Sequence, residues 1–236
     1  MENPEAKAIE EVGKAVQSVA KTASDYKDLV GDAGGFLGKI FGPAATEAGM
    51  WVRDYLHGRR IELAIRQRDR VEKLLEERGI TSIRPLPLAE GIPLIDAATM
   101  EEDPGLAEMF SNLIASFVDA NRDDYLPRTF IDTLRQMSPF EAVLLRKMVD
   151  APASALSEAN MMHTAPLPHG YLDAPTAQDE DIPGPSRSIV LALASLQKLG
   201  CVEGGMTWGG FTTFHQARVT EYGHALIDAC SPPRSR

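Results

Sequence analysis

Helix boundary signals cut this chain at short intervals, and they limit its fold more than any other feature. Asp103-Pro104 pairs a capping carboxylate with a proline at the first helical position. Ser138-Pro139-Phe140-Glu141 is a capping box in which Ser138 caps, Pro139 fixes φ and Glu141 reaches back to the helix start. Ser186 caps a helix that Gly200 stops, Thr220 caps another, and Gly79 closes the charged run "RVEKLLEERG". Between these marks apolar residues recur at helical spacing, as in Leu106, Met109, Phe110, Leu113, Ile114 and Phe117. Strand signals are confined to "CVEGG" and "FTTFHQARV", on either side of the glycine-rich "GGMTWGG" that carries Trp208. The expected class is mainly α: an N-terminal helical unit plus a C-terminal helical, winged-helix-like unit with a small β-hairpin.

The N-terminal part divides further. Residues 1–33 read as a heptad-type helix whose seam is Ile9, Val12, Val16, Val19, Ala23, Tyr26 and Val30. Residues 34–80 follow as an amphipathic segment and a long charged helix, and the Pro-rich "TSIRPLPLAEGIP" reads as a connector. Residues 91–150 are expected as a central helical bundle, 151–185 as a Pro/Ala-rich loop and 186–230 as the winged-helix-like unit.

The segment "GGFLGKIFGPAATEAGMWV", residues 34–52, is apolar and glycine-laden yet holds Lys39 and Glu47. At helical periodicity Leu37, Ile40, Phe41 and Trp51 fall in one arc of about 140°, opposite glycines and charged residues. Two uses fit that pattern. One is a core helix whose glycines permit close crossing. The other is a helix stored in the folded protein and able to lie in a lipid interface or on a partner, with Phe36, Leu37, Ile40, Phe41 and Trp51 as the contact residues.

Charge argues against nucleic acid as the principal ligand. The net charge is −10, and residues 91–150 hold five Lys/Arg against 11 Asp/Glu. In winged-helix modules the helix before the hairpin is the one that reads DNA. Here that helix offers mainly Arg187, Gln197 and Lys198, too few donors for a phosphate backbone, so Arg187 and Lys198 are the nucleic-acid residues only in the alternative reading of a winged-helix regulator or scaffold. The five histidines have no metal-ligand spacing, and HExxH, CxxC, GxSxG and a phosphate-binding glycine loop do not occur. Cys201 and Cys230 form neither a ligand pair nor a disulfide framework and are expected to pack as small apolar groups. No catalytic residue, metal or cofactor is therefore assigned. The start "MENPEAKAIEE" is acidic and unlike a signal peptide, so the expected location is cytoplasmic, with peripheral membrane attachment on activation.

The central "IPLIDAATMEEDPGLAEMFSNLIASFVDANR" and "LPRTFIDTLRQMSPFEAVLLRKM" resemble the Abi-alpha (abortive infection alpha) family of bacterial proteins. So do "WVRDYLHGRRIELAIRQRDRVEKLLEERGI" and "LASLQKLGCVEGG…ARVTEYGHALIDAC", which extends the resemblance over roughly residues 34–230. The resemblance implies an all-α protein of bacteria or phage, associated with conflict between them, and brings no catalytic residues. With it the expected function is a non-enzymatic antiphage effector or sensor, acting on a membrane or on a phage or host protein.

A seam only two residues wide in seven is poorly buried except against a like seam, so a homo-oligomer is expected through Ile9, Val12, Val16 and Val19. The double substitution Val16→Asp, Val19→Asp should lower the mass measured by light scattering. A wild-type protein already monomeric at tens of micromolar contradicts the expectation.

Overall fold

The computed structural model describes Ile40, Phe41 and residues 59–176, 182–206 and 212–232. Among these are seven α-helices, a single 3-10 turn and three short strands. The helices are α1 (Arg59–Glu77), α2 (Leu88–Met100), α3 (Pro104–Val118), α4 (Thr129–Gln136), α5 (Pro139–Val149), α6 (Arg187–Lys198) and α7 (Glu221–Ala229). The strands are β1 (Met162–His163), β2 (Val202–Met206) and β3 (Thr212–Val219). The chain divides into two compact units, Met1–Glu102 with Ile114–Tyr125, and Asp103–Leu113 with Leu126–Arg236.

The expected boundaries hold for local reasons. Ser138 caps α5 by accepting from the Glu141 amide, and the Glu141 carboxylate accepts from the Ser138 amide at 2.6 Å. Ser186 and Thr220 likewise accept from Ile189 and Gly223 at the starts of α6 and α7. The Asp103 carboxylate accepts from the amides of Gly105 and Leu106 at the start of α3. Gly79 and Gly200 sit at φ of 62° and 78° after α1 and α6, where only glycine is unstrained. Each permits the same closing pair of hydrogen bonds, Ile80 to Leu75 and Gly79 to Glu76, then Cys201 to Leu196 and Gly200 to Gln197.

In the first unit α1 packs on α2 through Ala64, Gln67, Val71 and Leu75, a stripe at spacings of three and four. The segment before α2 crosses the end of α3: Ile83 bridges Asp119, and the Arg84 amide donates to the Val118 carbonyl at 2.7 Å. The Arg84 guanidinium donates to the Phe117 carbonyl at 3.2 Å.

The second unit is built on β1–β3–β2, an antiparallel sheet in that order. The register runs from Val202 opposite Val219 to Gly204 opposite Ala217, then shifts so that Gly205 faces Thr213. The offset residues bulge toward β1, where Thr164 donates to the Phe214 carbonyl through its hydroxyl and to the His215 carbonyl through its amide. Helices α5, α6 and α7 cover the sheet with Leu144, Leu145, Ile189, Leu193, Leu196 and Leu226, all buried. Tyr222 ties α7 to α4: its ring meets Phe130 edge-on at 5.1 Å, and its hydroxyl bonds Thr133 at 2.7 Å and Thr129 at 3.0 Å.

Three expectations need correction. The connector "TSIRPLPLAEGIP" is half helix, because α2 starts at Leu88 and runs through Gly91 with Pro93 inside it. Residues 151–185 are not one loop, since they hold the 3-10 turn Ala153–Ala155 and the edge strand β1. The protein is mainly helical rather than all-α, because those two residues of β1 complete a three-stranded sheet.

Ser138→Ala removes the hydroxyl that accepts from the Glu141 amide, leaves the backbone half of the box in place, and should destabilise by about 1 kcal/mol, which lowers the melting temperature by about 2–4 °C. Ser138→Asp should retain most of the stability. Equal melting temperatures for wild type and Ser138→Ala contradict a stabilising cap.

Candidate functional site

One tightly fitted apolar contact in the first unit involves the segment singled out in the sequence. Ile40 and Phe41 lie in a helix and are 0% and 2% exposed. The crossing at Ile83 and Arg84 fixes the chain just ahead of α2, and the buried Leu86 then donates its amide to the Ile40 carbonyl at 2.7 Å. One turn into α2, Gly91 meets the edge of the Phe41 ring. A Cβ on residue 91 would stand 2.8 Å from Cζ of Phe41 and closer still to Cε1, well inside van der Waals contact. Because the ring is buried, it cannot swing aside without losing its place. The glycine is therefore a seat for the ring. Burying both side chains contributes on the order of 3–6 kcal/mol. What the seat offers is shape and apolar contact.

The outer face of α6 carries the other predicted residues. Arg187 and Lys198 are both exposed, about 16 Å apart along the helix axis. Between them lie Ala194 and Leu191, the latter 60% exposed. Gln197 is engaged, since its side-chain carbonyl accepts from the Gly204 amide at 3.2 Å. Arg218 on β3 pairs with Glu203 on β2 at 2.6 Å. The face thus presents an apolar centre between two separated cations, a pattern unlike the dense donors of a phosphate reader.

Phe36, Leu37 and Trp51 lie outside the described residues, as do Ile9, Val12, Val16, Val19 and Trp208. Cys201 and Cys230 are free and buried, as expected. Burial pushes the Cys201 thiol from 9.0 up to about 12, so it is a poor nucleophile. Its neutral form is favoured by folding, and that contribution is lost as pH rises from 9.0 toward 12. His163 is buried on β1, while His169, His215 and His224 are exposed. No group of three or more His, Cys, Asp or Glu that could hold a metal occurs among the described residues. No helix among them is long and apolar enough to cross a membrane.

Sequence reasoning missed Gly91. The residue sits between Pro87 and Pro93, so it read as punctuation in a connector. The available signal was a lone glycine in "LAEGI", otherwise good helix formers, and only its contact partner explains it.

A family model described as abortive infection alpha matches residues 59–230. The match begins later than residue 34, where the sequence resemblance was drawn, so it leaves out Ile40 and Phe41. No curated protein and no solved structure matches. With most of its length matched, including every helix and strand of the fold above, the chain belongs to the abortive infection alpha family.

Proposed function

We propose that this chain is a non-enzymatic effector of abortive infection that stores an apolar helical segment around Ile40 and Phe41 and inserts it into a membrane interface when a trigger frees it. The observation that carries this reading is the seating of the Phe41 ring on Gly91. An ordinary core helix has little use for the weak helix propensity of "GGFLGKIFGPAATEAG". A segment that must leave its place gains from low local stability. Held, Ile40 and Phe41 are hidden; freed, the segment has the aromatic residues Phe36, Phe41 and Trp51 for an interface.

The second unit is the part that receives the trigger in this proposal. The order α5–β1–α6–β2–β3–α7 and the sheet order β1–β3–β2 support a winged-helix-like reading. The exposed Leu191 between Arg187 and Lys198 favours a protein partner over nucleic acid. Self-association through Ile9, Val12, Val16 and Val19 belongs to the same proposal, as does a cytoplasmic resting form.

The test is dye leakage from anionic liposomes. Gly91→Ala overpacks the seat by about 1–3 kcal/mol, which raises the freed population about ten- to hundred-fold. The variant should leak liposomes more strongly than wild type, and adding Phe41→Asp should abolish the leakage while Phe41→Leu keeps it. A folded Gly91→Ala protein that is inert on anionic liposomes overturns the effector reading and leaves Ile40 and Phe41 as plain core.

A further inference from the structure

Helix α5 has two apolar faces, and only one is covered. Leu144, Leu145 and Met148 are buried on the inner face. On the outer side Phe140 is 39% and Val143 56% exposed. Single exposed apolar residues are ordinary, but Val143 also lines an open groove of about 440 Å³. Its far wall is the first two turns of α3, with Leu106 and Met109. Gly105 on that wall and Ala142 on α5 are small, and they leave the room that larger residues would fill.

Two acidic and two basic residues line the groove, and their side chains differ in what already engages them. The Asp103 carboxylate accepts from the amides of Gly105 and Leu106 at 3.0 and 2.9 Å, so it is engaged by the start of α3. Asp150 at the other end also has an interaction of its own. The Arg146 guanidinium, by contrast, has no hydrogen bond or ion pair among the described residues. Lys147 is held at the rim: its ammonium stands 4.4 Å from the centroid of the Tyr171 ring, and the Tyr171 hydroxyl donates to the Lys147 carbonyl at 2.6 Å. A planar guanidinium without a partner beside an apolar trough matches a carboxylate flanked by aliphatic side chains.

We propose that this groove is the docking site for an amphipathic helical segment of a partner protein, one that carries aliphatic residues and carboxylates on the same face. The groove follows α5 from Pro139 to Asp150, about 16 Å or three helical turns. That length and openness suit a helix laid between two helices. Val143 and Met109 receive the aliphatic side chains, and Arg146 takes a carboxylate in a bidentate pair.

The full-length protein is titrated against two fluorescein-labelled helical peptides, each two repeats of a heptad. One heptad is Leu-Glu-Ala-Glu-Leu-Ala-Ala, whose Glu residues flank the Leu stripe, and the other has Lys in place of Glu. The readouts are fluorescence anisotropy and the methyl resonance of Met109 in ¹³C-methyl-labelled protein. The acidic peptide should bind with a dissociation constant on the order of 100 μM and shift the Met109 methyl, while the basic peptide does neither. Arg146→Gln should weaken binding at least about ten-fold, and Val143→Glu should remove it. Both variants alter exposed or half-buried side chains, so melting temperatures close to wild type show that folding is intact. Equal binding of the two peptides, affinity unchanged by Arg146→Gln, or no binding of the acidic peptide overturns the proposal. A Met109 shift that grows with protein concentration in the absence of peptide also overturns it, because the occupant is then a second copy.

Discussion

Phe41 can lie against α2 because residue 91 has no side chain. That one atom's worth of space lets a bulky ring pack at backbone distance, with the Leu86 amide tied to the Ile40 carbonyl beside it. The rest of the first unit is arranged to hold this seat in place. The crossing of Ile83 and Arg84 over the end of α3 fixes where α2 begins, and α1, with Val71 and Leu75 buried, packs on α2. The contact is strong in apolar area but narrow in tolerance, which is what a close-packed interior gives.

Helix α3 shows a related economy of polar groups. It is buried from Met109 to Val118, although the sequence places Ser111, Asn112 and Ser116 within that span. Ser111 donates to the Ala107 carbonyl and Asn112 to the Glu108 carbonyl, each at 2.9 Å, so the helix satisfies them with its own backbone. The expected apolar face of α3 is buried, and so is the side that reads as polar. Periodicity could not reveal that, because residues that hydrogen-bond to their own turn look outward-facing in sequence.

The helix boundaries were legible for the opposite reason. A cap is made by residues three apart, so Ser138 with Glu141, Asp103 with Leu106 and Thr220 with Gly223 are all visible in a short window. Gly79 and Gly200 are visible in the same way. What stayed hidden depends on distant partners. Strand β1 is two residues long and exists because Met162 and His163 lie opposite Ala217 and Gln216. Gly91 has meaning only once Phe41 is beside it. The outer face of α5 was readable as a helix from "FEAVLLRKMV", but that the Arg146 guanidinium has no partner among the described residues is a property of the folded surroundings.

The central claim is that the close fit of Phe41 on Gly91 is needed to hold Ile40 and Phe41 in place, and native-state hydrogen exchange reads it directly. The Leu86 amide reports the segment through its bond to the Ile40 carbonyl, while the nearby Arg84 amide, bonded to Val118, reports the surrounding unit. The account predicts that Gly91→Ala speeds exchange at Leu86 by about ten- to hundred-fold and leaves Arg84 slow. Exchange at Leu86 unchanged by Gly91→Ala, or rising together with that at Arg84, contradicts it.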